Sequence, residues 1–255
     1  KLYSKSGNLL TNQTDILTET ANHYIKLYAN SEVEEVNLNS ILNKENVYAL
    51  NQEEQLELDQ PLMYEEYLSS LKKMSNNSSP GSSGFTVSFY KFFWIDIGPF
   101  LTRSLNHSFT TKELSITLKQ GVITCIPKGN KDKLHLKNWR PISLLNVEYK
   151  ILSATVAARL KSVLTKLISE DQSGFLPGRF IGDNLRLIYD MMYYTEKNNV
   201  PGMILLLDFA TAFDSLSWNF MFKVLKFFNI GPNLTQWIKI FYTNKLKAEK
   251  KKFRI

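Results

Sequence analysis

The sequence has a single cysteine, only three histidines, and no apolar run long enough to cross a bilayer. Each shortage removes a class of protein. Cys125 alone cannot form an internal disulfide, so the chain is not a disulfide-stapled secreted scaffold. For the same reason the Asn-x-Ser/Thr triplets at Asn12, Asn77 and Asn106 are not read as glycan sites. The opening KLYSKSGNLL lacks the charged, apolar and cleavage regions of a secretory signal, and the expectation is an intracellular protein, nuclear or cytoplasmic, with no membrane partner. Lys1 stands where an initiator methionine would, which reads as a piece of a longer protein.

What is present is ample apolar material: 44% of 255 residues are hydrophobic, enough for one large or two small buried cores. The net charge is +7 and the isoelectric point about 9.2, which suits a polyanionic partner. Much of the excess sits in one run, Lys245, Lys247, Lys250, Lys251, Lys252 and Arg254, opposed by Glu249 alone, so charge by itself is weak support for such a partner.

Along the chain, Ile16, Leu17, Ala21, Tyr24, Ile25 and Tyr28 recur three and four apart, which predicts a helix over residues 11–30. A polar, acidic stretch over 32–60 reads as a linker. A second amphipathic helix carries Tyr64, Tyr67, Leu68, Leu71 and Met74 and ends at the turn-rich SNNSSPGSSG. The aromatic segment 85–109 predicts helix broken near Gly98 and Pro99. GVITCIPK, residues 121–128, is short and β-branched, and with WRPISLL it predicts a hairpin with a long tip. Helices are expected over 148–169, 183–197, 218–228 and 234–242. The unbroken apolar run MILLLD predicts a strand buried on both faces.

That run delivers Asp208 to its C-terminal end, at the start of LLLDFATAFDSLSW (205–218). A hard carboxylate oxygen there suits a divalent cation in nucleotidyl transfer. Read alone, Asp208 or Asp214 serves equally as a cap for the next helix. A small metal-dependent hydrolase using both has little support, since no His or Cys cluster joins them.

Four blocks in order and spacing resemble the reverse transcriptases of non-LTR retrotransposons, the long interspersed elements. They are SSPGSSGFTVSFYKFFW (78–94), GVITCIPKGNKD (121–132), NWRPISLLNVEYKILSATVAARLKSVLTKLISEDQSGFLPGRFIGDN (138–184) and LLLDFATAFDSLSW. The resemblance runs from about residue 10 to about 242. It implies an α/β, helix-rich, right-hand polymerase fold, comprising the fingers and an incomplete palm, with residues 1–60 a helical extension and linker and 61–255 the polymerase part.

The resemblance also implies roles. Asp208 would be the first catalytic metal ligand, with the Phe209 main-chain carbonyl a second contact to Mg²⁺. Phe213 would be the aromatic gate that excludes a 2′-hydroxyl; on local sequence it is equally a core residue before a helix. Lys128 and Arg140 would clamp the triphosphate of an incoming deoxynucleotide, where a point charge and a planar fork suit phosphate oxygens; without the resemblance they are ordinary surface charges. Gln172, Gly174, Gly178 and Arg179 would lie along template and primer, or else form a glycine-rich turn between helices. The implied partners are an RNA template, a DNA primer or target, and deoxynucleoside triphosphates.

Three departures matter. Ser83 stands where the family usually has an acid, and Ala210 and Thr211 stand between the two aspartates where it often has an acidic and a basic residue. No Tyr-x-Asp-Asp occurs, and AEKKKFRI stands where the family continues with a short β-hairpin. The implied activity is therefore RNA-directed DNA polymerase by lineage, with the chain alone inactive; the alternative is a dead fragment that keeps only nucleic-acid binding.

Overall fold

A computed structural model of the chain describes residues 1–27, 48–209, 212–213, 216–243 and 252–254. Tyr28, most of the linker, Ala210, Thr211, Asp214 and the side chains of the basic tail lie outside the described residues. The chain divides into two units: Lys1–Glu34 with Asp59–Val156 and Pro232–Ile255, and Glu35–Leu58 with Ala157–Gly231.

The first unit opens with a two-stranded ribbon, β1 (Leu2–Tyr3) and β2 (Leu9–Leu10), which the sequence did not announce. Helix α1 (Gln13–Leu27) follows, its inner face marked by fully buried Thr20 and Tyr24. Helix α3 (Tyr64–Lys73) starts where the Glu66 carboxylate reaches back to accept the Met63 N–H at 2.8 Å. That satisfies a donor that a helix start leaves open. Tyr67 and Leu71 are its anchors, both with no exposed surface. The Tyr67 hydroxyl meets Asn106 Oδ1 at 2.8 Å, so the buried polar tip is satisfied.

The aromatic segment forms two helices, α4 (Val87–Phe92), capped by the Thr86 hydroxyl on the Phe89 N–H, and α5 (Trp94–Thr111). The break falls at Phe93, not at the expected Gly98 and Pro99, which lie inside α5. The reason is packing: a Cβ on Gly98 would stand 2.8 Å from both the Trp94 and Tyr64 rings, so that glycine lets two aromatic rings close on the helix. Pro99 lies early enough in α5 that little of the helical ladder is lost. Helix α6 (Ile116–Lys119) leads into the sheet.

Strands β3 (Gly121–Pro127) and β4 (Trp139–Leu145) pair antiparallel, forming the expected hairpin with its long tip, which holds a single 3-10 turn, Leu136–Asn138. A short strand β5 (Lys252–Arg254), also unforeseen, pairs parallel to β3 and makes it the central strand. Helix α7 (Val147–Leu167) follows, and α10 (Pro232–Thr243) lays Trp237 against Phe109, ring centroids 5.2 Å apart. A buried bond of 2.9 Å joins the Thr155 and Ser70 hydroxyls, and Thr155 also donates back to the Ile151 carbonyl along α7.

In the second unit, α2 (Gln52–Leu58) is held by Asn229, which donates to the Leu50 carbonyl and accepts from Gln55, both at 2.8 Å. Lys166 bonds Glu54 at 2.5 Å, and with Tyr48 and the Asn51 N–H it pulls the Glu54 carboxyl down to about 2. Helices α8 (Gly182–Lys197) and α9 (Trp218–Phe227) complete it.

The expected strand MILLLD is not a strand. Residues 201–209 have no ladder and are exposed: Leu205 is 69%, Leu206 83% and Leu207 81% accessible. A strand needs neighbours to take its N–H and C=O groups, and none flanks this run among the described residues. No helix among the described residues is long and apolar enough to cross a membrane.

Candidate active site

Register decides where the two candidate phosphate-binding charges stand. Ile126 pairs with Arg140 and Pro127 with Trp139, and the Lys128 N–H donates to the Asn138 carbonyl at 2.8 Å, one residue further along. Residues 126 and 128 share a face, as do 138 and 140, so Lys128 and Arg140 are diagonal neighbours on one face of the hairpin. The other face carries buried Ile123 and Cys125, where burial pushes the thiol up. The charged face is open: Ile126 is 48% and Ile142 40% exposed, and Arg140 is exposed too.

The hairpin tip is tied internally. Asp132 Oδ1 accepts from the Leu134 N–H, Asn138 donates to the Asp132 carbonyl, and the Trp139 indole donates to the Lys133 carbonyl at 2.9 Å. The Lys128 ammonium rests on the Lys137 carbonyl at 2.7 Å.

Asn146, next after β4, is a site-building residue that motif reading passed over. It is 1% exposed; its amide donates to the Thr117 carbonyl at 2.9 Å and its oxygen accepts from the Ser83 N–H at 3.1 Å. Gly81 lies so close that any Cβ would collide with the Asn146 backbone and side chain. One turn on, the Lys150 ammonium donates to the Ser79 carbonyl at 2.6 Å, and burial lowers its pKa. The SSPGSSG loop is thus pinned to the start of α7 by Asn146 and Lys150. At Ser83, where the family usually has an acid, it is the main chain that makes this contact. The signal was in the sequence, since both residues lie in the third block.

In the second unit, the DQSGFLPGR loop follows α7. Arg179 donates through one terminal nitrogen to the Ser169 and Gln172 carbonyls and through the other to the Ile168 carbonyl at 2.7 Å and the Thr165 carbonyl at 3.1 Å. Those carbonyls lie at and just beyond the end of α7, where the helical ladder runs out, although Ser169 also accepts the Gln172 N–H at 3.2 Å, so Arg179 is a C-terminal cap. The Gln172 side chain is exposed. Gly178 has φ +73, a conformation that selects glycine, and added Cβ atoms at Gly174 and Gly178 would meet only open space. Between them Phe175 is 95% exposed at φ 63, a strained setting for a bulky residue that sequence reading did not single out.

Asp208 and Phe209 lie at the end of the exposed run, Phe209 at 82% accessibility. Phe213 is 89% exposed and is therefore not a core residue. Helix α9 takes its cap from Ser217, whose hydroxyl accepts the Phe220 N–H, so Asp208 is not spent on that cap. Among the described residues no three His, Cys, Asp or Glu side chains gather as a metal site. Asp208 and the Phe209 carbonyl offer hard oxygen, but they do not complete a two-metal centre by themselves. Lys128 and Arg140 stand in the first unit and Asp208 and Phe213 in the second.

Residues 126–255 match the family described as reverse transcriptase (RNA-dependent DNA polymerase). Over 187 residues the chain is 36% identical to the transposon TX1 uncharacterized 149 kDa protein of Xenopus laevis, covering 73% of this chain and 14% of that protein. It is 26% identical over 170 residues to the Pol polyprotein of the type-2 retrotransposable element R2DM of Drosophila melanogaster, covering 67% of this chain and 16% of that protein. It is also 27% identical over 148 residues to the putative 115 kDa protein of the type-1 element R1DM of the same fly, covering 58% of this chain and 14% of that protein. The chain thus spans about a seventh of the length of the curated relatives it matches. It belongs to the reverse transcriptase family, among the proteins of non-LTR retrotransposons.

Proposed function

We propose that the chain supplies the nucleotide clamp and the first catalytic aspartate of an RNA-directed DNA polymerase that extends a DNA 3′ end on an RNA template. The observation that supports the reading is the hairpin register, which makes Lys128 and Arg140 diagonal neighbours on one face of the hairpin. A point charge and a planar fork side by side suit phosphate oxygens whose charge grows as pyrophosphate leaves. Asp208 fits one hard-oxygen contact to a divalent ion such as Mg²⁺. Bound there, the ion would supply positive charge against the reacting phosphate and the attacking 3′-hydroxyl. Exposed Phe213 would lie under the incoming sugar and exclude a 2′-hydroxyl, and the 171–184 segment would run along template and primer.

The test is primer extension on an RNA template with Mg²⁺ and deoxynucleotides, using this chain and the longer parent protein, each with and without Asp208→Ala. The chain alone has no Tyr-x-Asp-Asp, and is expected to bind nucleic acid in a salt-sensitive way without extending the primer. The parent is expected to extend and to lose at least about a hundredfold in rate with Asp208→Ala. Extension that survives the substitution in the parent would overturn the reading. So would extension by this chain that Asp208→Ala abolishes, because one described aspartate would then be enough.

A further inference from the structure

Within the first unit the N-terminal ribbon, α1 and the hairpin tip enclose an open cavity of about 550 Å³ that none of the motif blocks explains. Its wall combines Tyr3 and Lys5 from the ribbon, Glu19 and His23 from α1, and His135 and Lys137 from the tip. The ribbon is fastened to the tip by the Tyr3 N–H, which donates to the Leu134 carbonyl at 2.7 Å. The Tyr3 and His135 rings stack on each other, centroids 5.3 Å apart and planes 26° from parallel, so the cavity wall carries a stacked aromatic pair.

The lining carries two ammonium groups and a carboxylate: Lys5 and Lys137 are both exposed, and Glu19 accepts the Lys5 main-chain N–H at 3.0 Å. Beside the wall, His135 Nε2 lies 3.5 Å from the Asp132 carboxylate. Burial, then the Lys5 charge, hold His23 below the ordinary imidazole value, so at neutral pH it presents one donor and one acceptor and adds no charge. A stacked aromatic pair, two ammonium groups and the His23 ring nitrogens in a volume within the roughly 300–1,000 Å³ range of ligand pockets make a set of contacts suited to a nucleotide. The cavity adjoins the candidate clamp directly, since the Lys128 ammonium is bonded to the carbonyl of its wall residue Lys137.

We propose that this cavity is a subsite for one unpaired nucleotide of a single-stranded nucleic acid, its base against the Tyr3–His135 stack and its phosphates against Lys5 and Lys137. The inference rests on the nucleic-acid reading of the chain but assigns it a contact outside the polymerase centre. RNA and DNA share the chemistry that this wall recognises, so both are probed.

The test is fluorescence anisotropy of the full chain with labelled single strands of about 12 nucleotides, RNA and DNA, and with a duplex of the same sequence. Lys5→Ala/Lys137→Ala is compared with Lys72→Ala/Lys73→Ala, which removes the same charge from the exposed end of α3, and with Tyr3→Ala. The cavity double variant and Tyr3→Ala should each weaken single-strand binding by about tenfold, with the α3 pair and duplex binding changing less than about twofold. A larger loss with RNA than with DNA, or the reverse, identifies which strand the wall prefers. Equal losses from the two lysine pairs would reduce the effect to unspecific charge and overturn the proposal. Unchanged affinity in the cavity variants, or no binding by the unaltered chain, would overturn it too. Displacement of the strand by free mononucleotide at matched phosphate concentration would overturn the assignment to a strand. Loss of Asp208-dependent extension in the parent protein is a separate result, so this subsite and the polymerase reading can fail independently.

Discussion

At the scale of single residues, Phe175 and Asn146 show how local geometry reveals roles that residue type does not. Phe175 holds a left-handed backbone while exposing nearly its whole ring, so neither burial nor conformational preference accounts for it. For an L-residue that conformation costs about 1–2 kcal/mol, which a contact made outside the free chain would have to offset. Phe175→Gly is therefore expected to stabilise the chain by up to about 1 kcal/mol in urea titration while weakening single-strand binding several-fold. A destabilised variant would show that the ring packs within the chain. The role of Asn146 is invisible in its local sequence, because it depends on Gly81 and Thr117 coming to it from distant parts of the chain. Lys128 and Arg140 were named from resemblance, and their shared face follows from pairing register alone.

At the scale of elements, most helices and the hairpin were legible because their apolar residues recur at the period of the element they form. Two readings failed for physical reasons. The break expected at Gly98 and Pro99 lies at Phe93, since the glycine serves ring packing within α5 and the proline is near its start. The MILLLD strand is absent because an apolar run becomes a strand only where other strands take its backbone groups. The ribbon β1–β2 is two residues per strand, too short for any period to show. The end of α7 gives an element-scale prediction, because Arg179 gathers four carbonyls there. Arg179→Ala should cost about 1–2 kcal/mol, since charge-assisted bonds are strong but the site is partly solvated. Arg179→Lys should recover less than half of that, because one ammonium cannot span the fork. Chemical denaturation of the three proteins checks it. Equal stability would mean that the cap is idle and Arg179 is free for phosphate.

At the scale of the whole chain, the second unit leaves apolar surface uncovered: α8 has no buried residue, and Met203, Leu206 and Leu207 are each more than 80% accessible. Isolated runs of this kind bind hydrophobic dyes and associate. Leu206→Lys is expected to lower dye fluorescence and slow aggregation with helical circular dichroism unchanged, whereas lost helicity would mean that the run is part of the core. The sequence by itself determined the family, the helical and hairpin segments and the identity of the charged and acidic candidates, because these are carried by local periodicity and by residues at fixed spacing. Tertiary structure alone decided that Lys128 and Arg140 share a face, that Asn146 clamps the glycine loop, that Arg179 closes a helix, and that Tyr3 and His135 wall one cavity. Those are relations between residues far apart in the chain, fixed by strand register, capping and packing, which leave no period in the sequence.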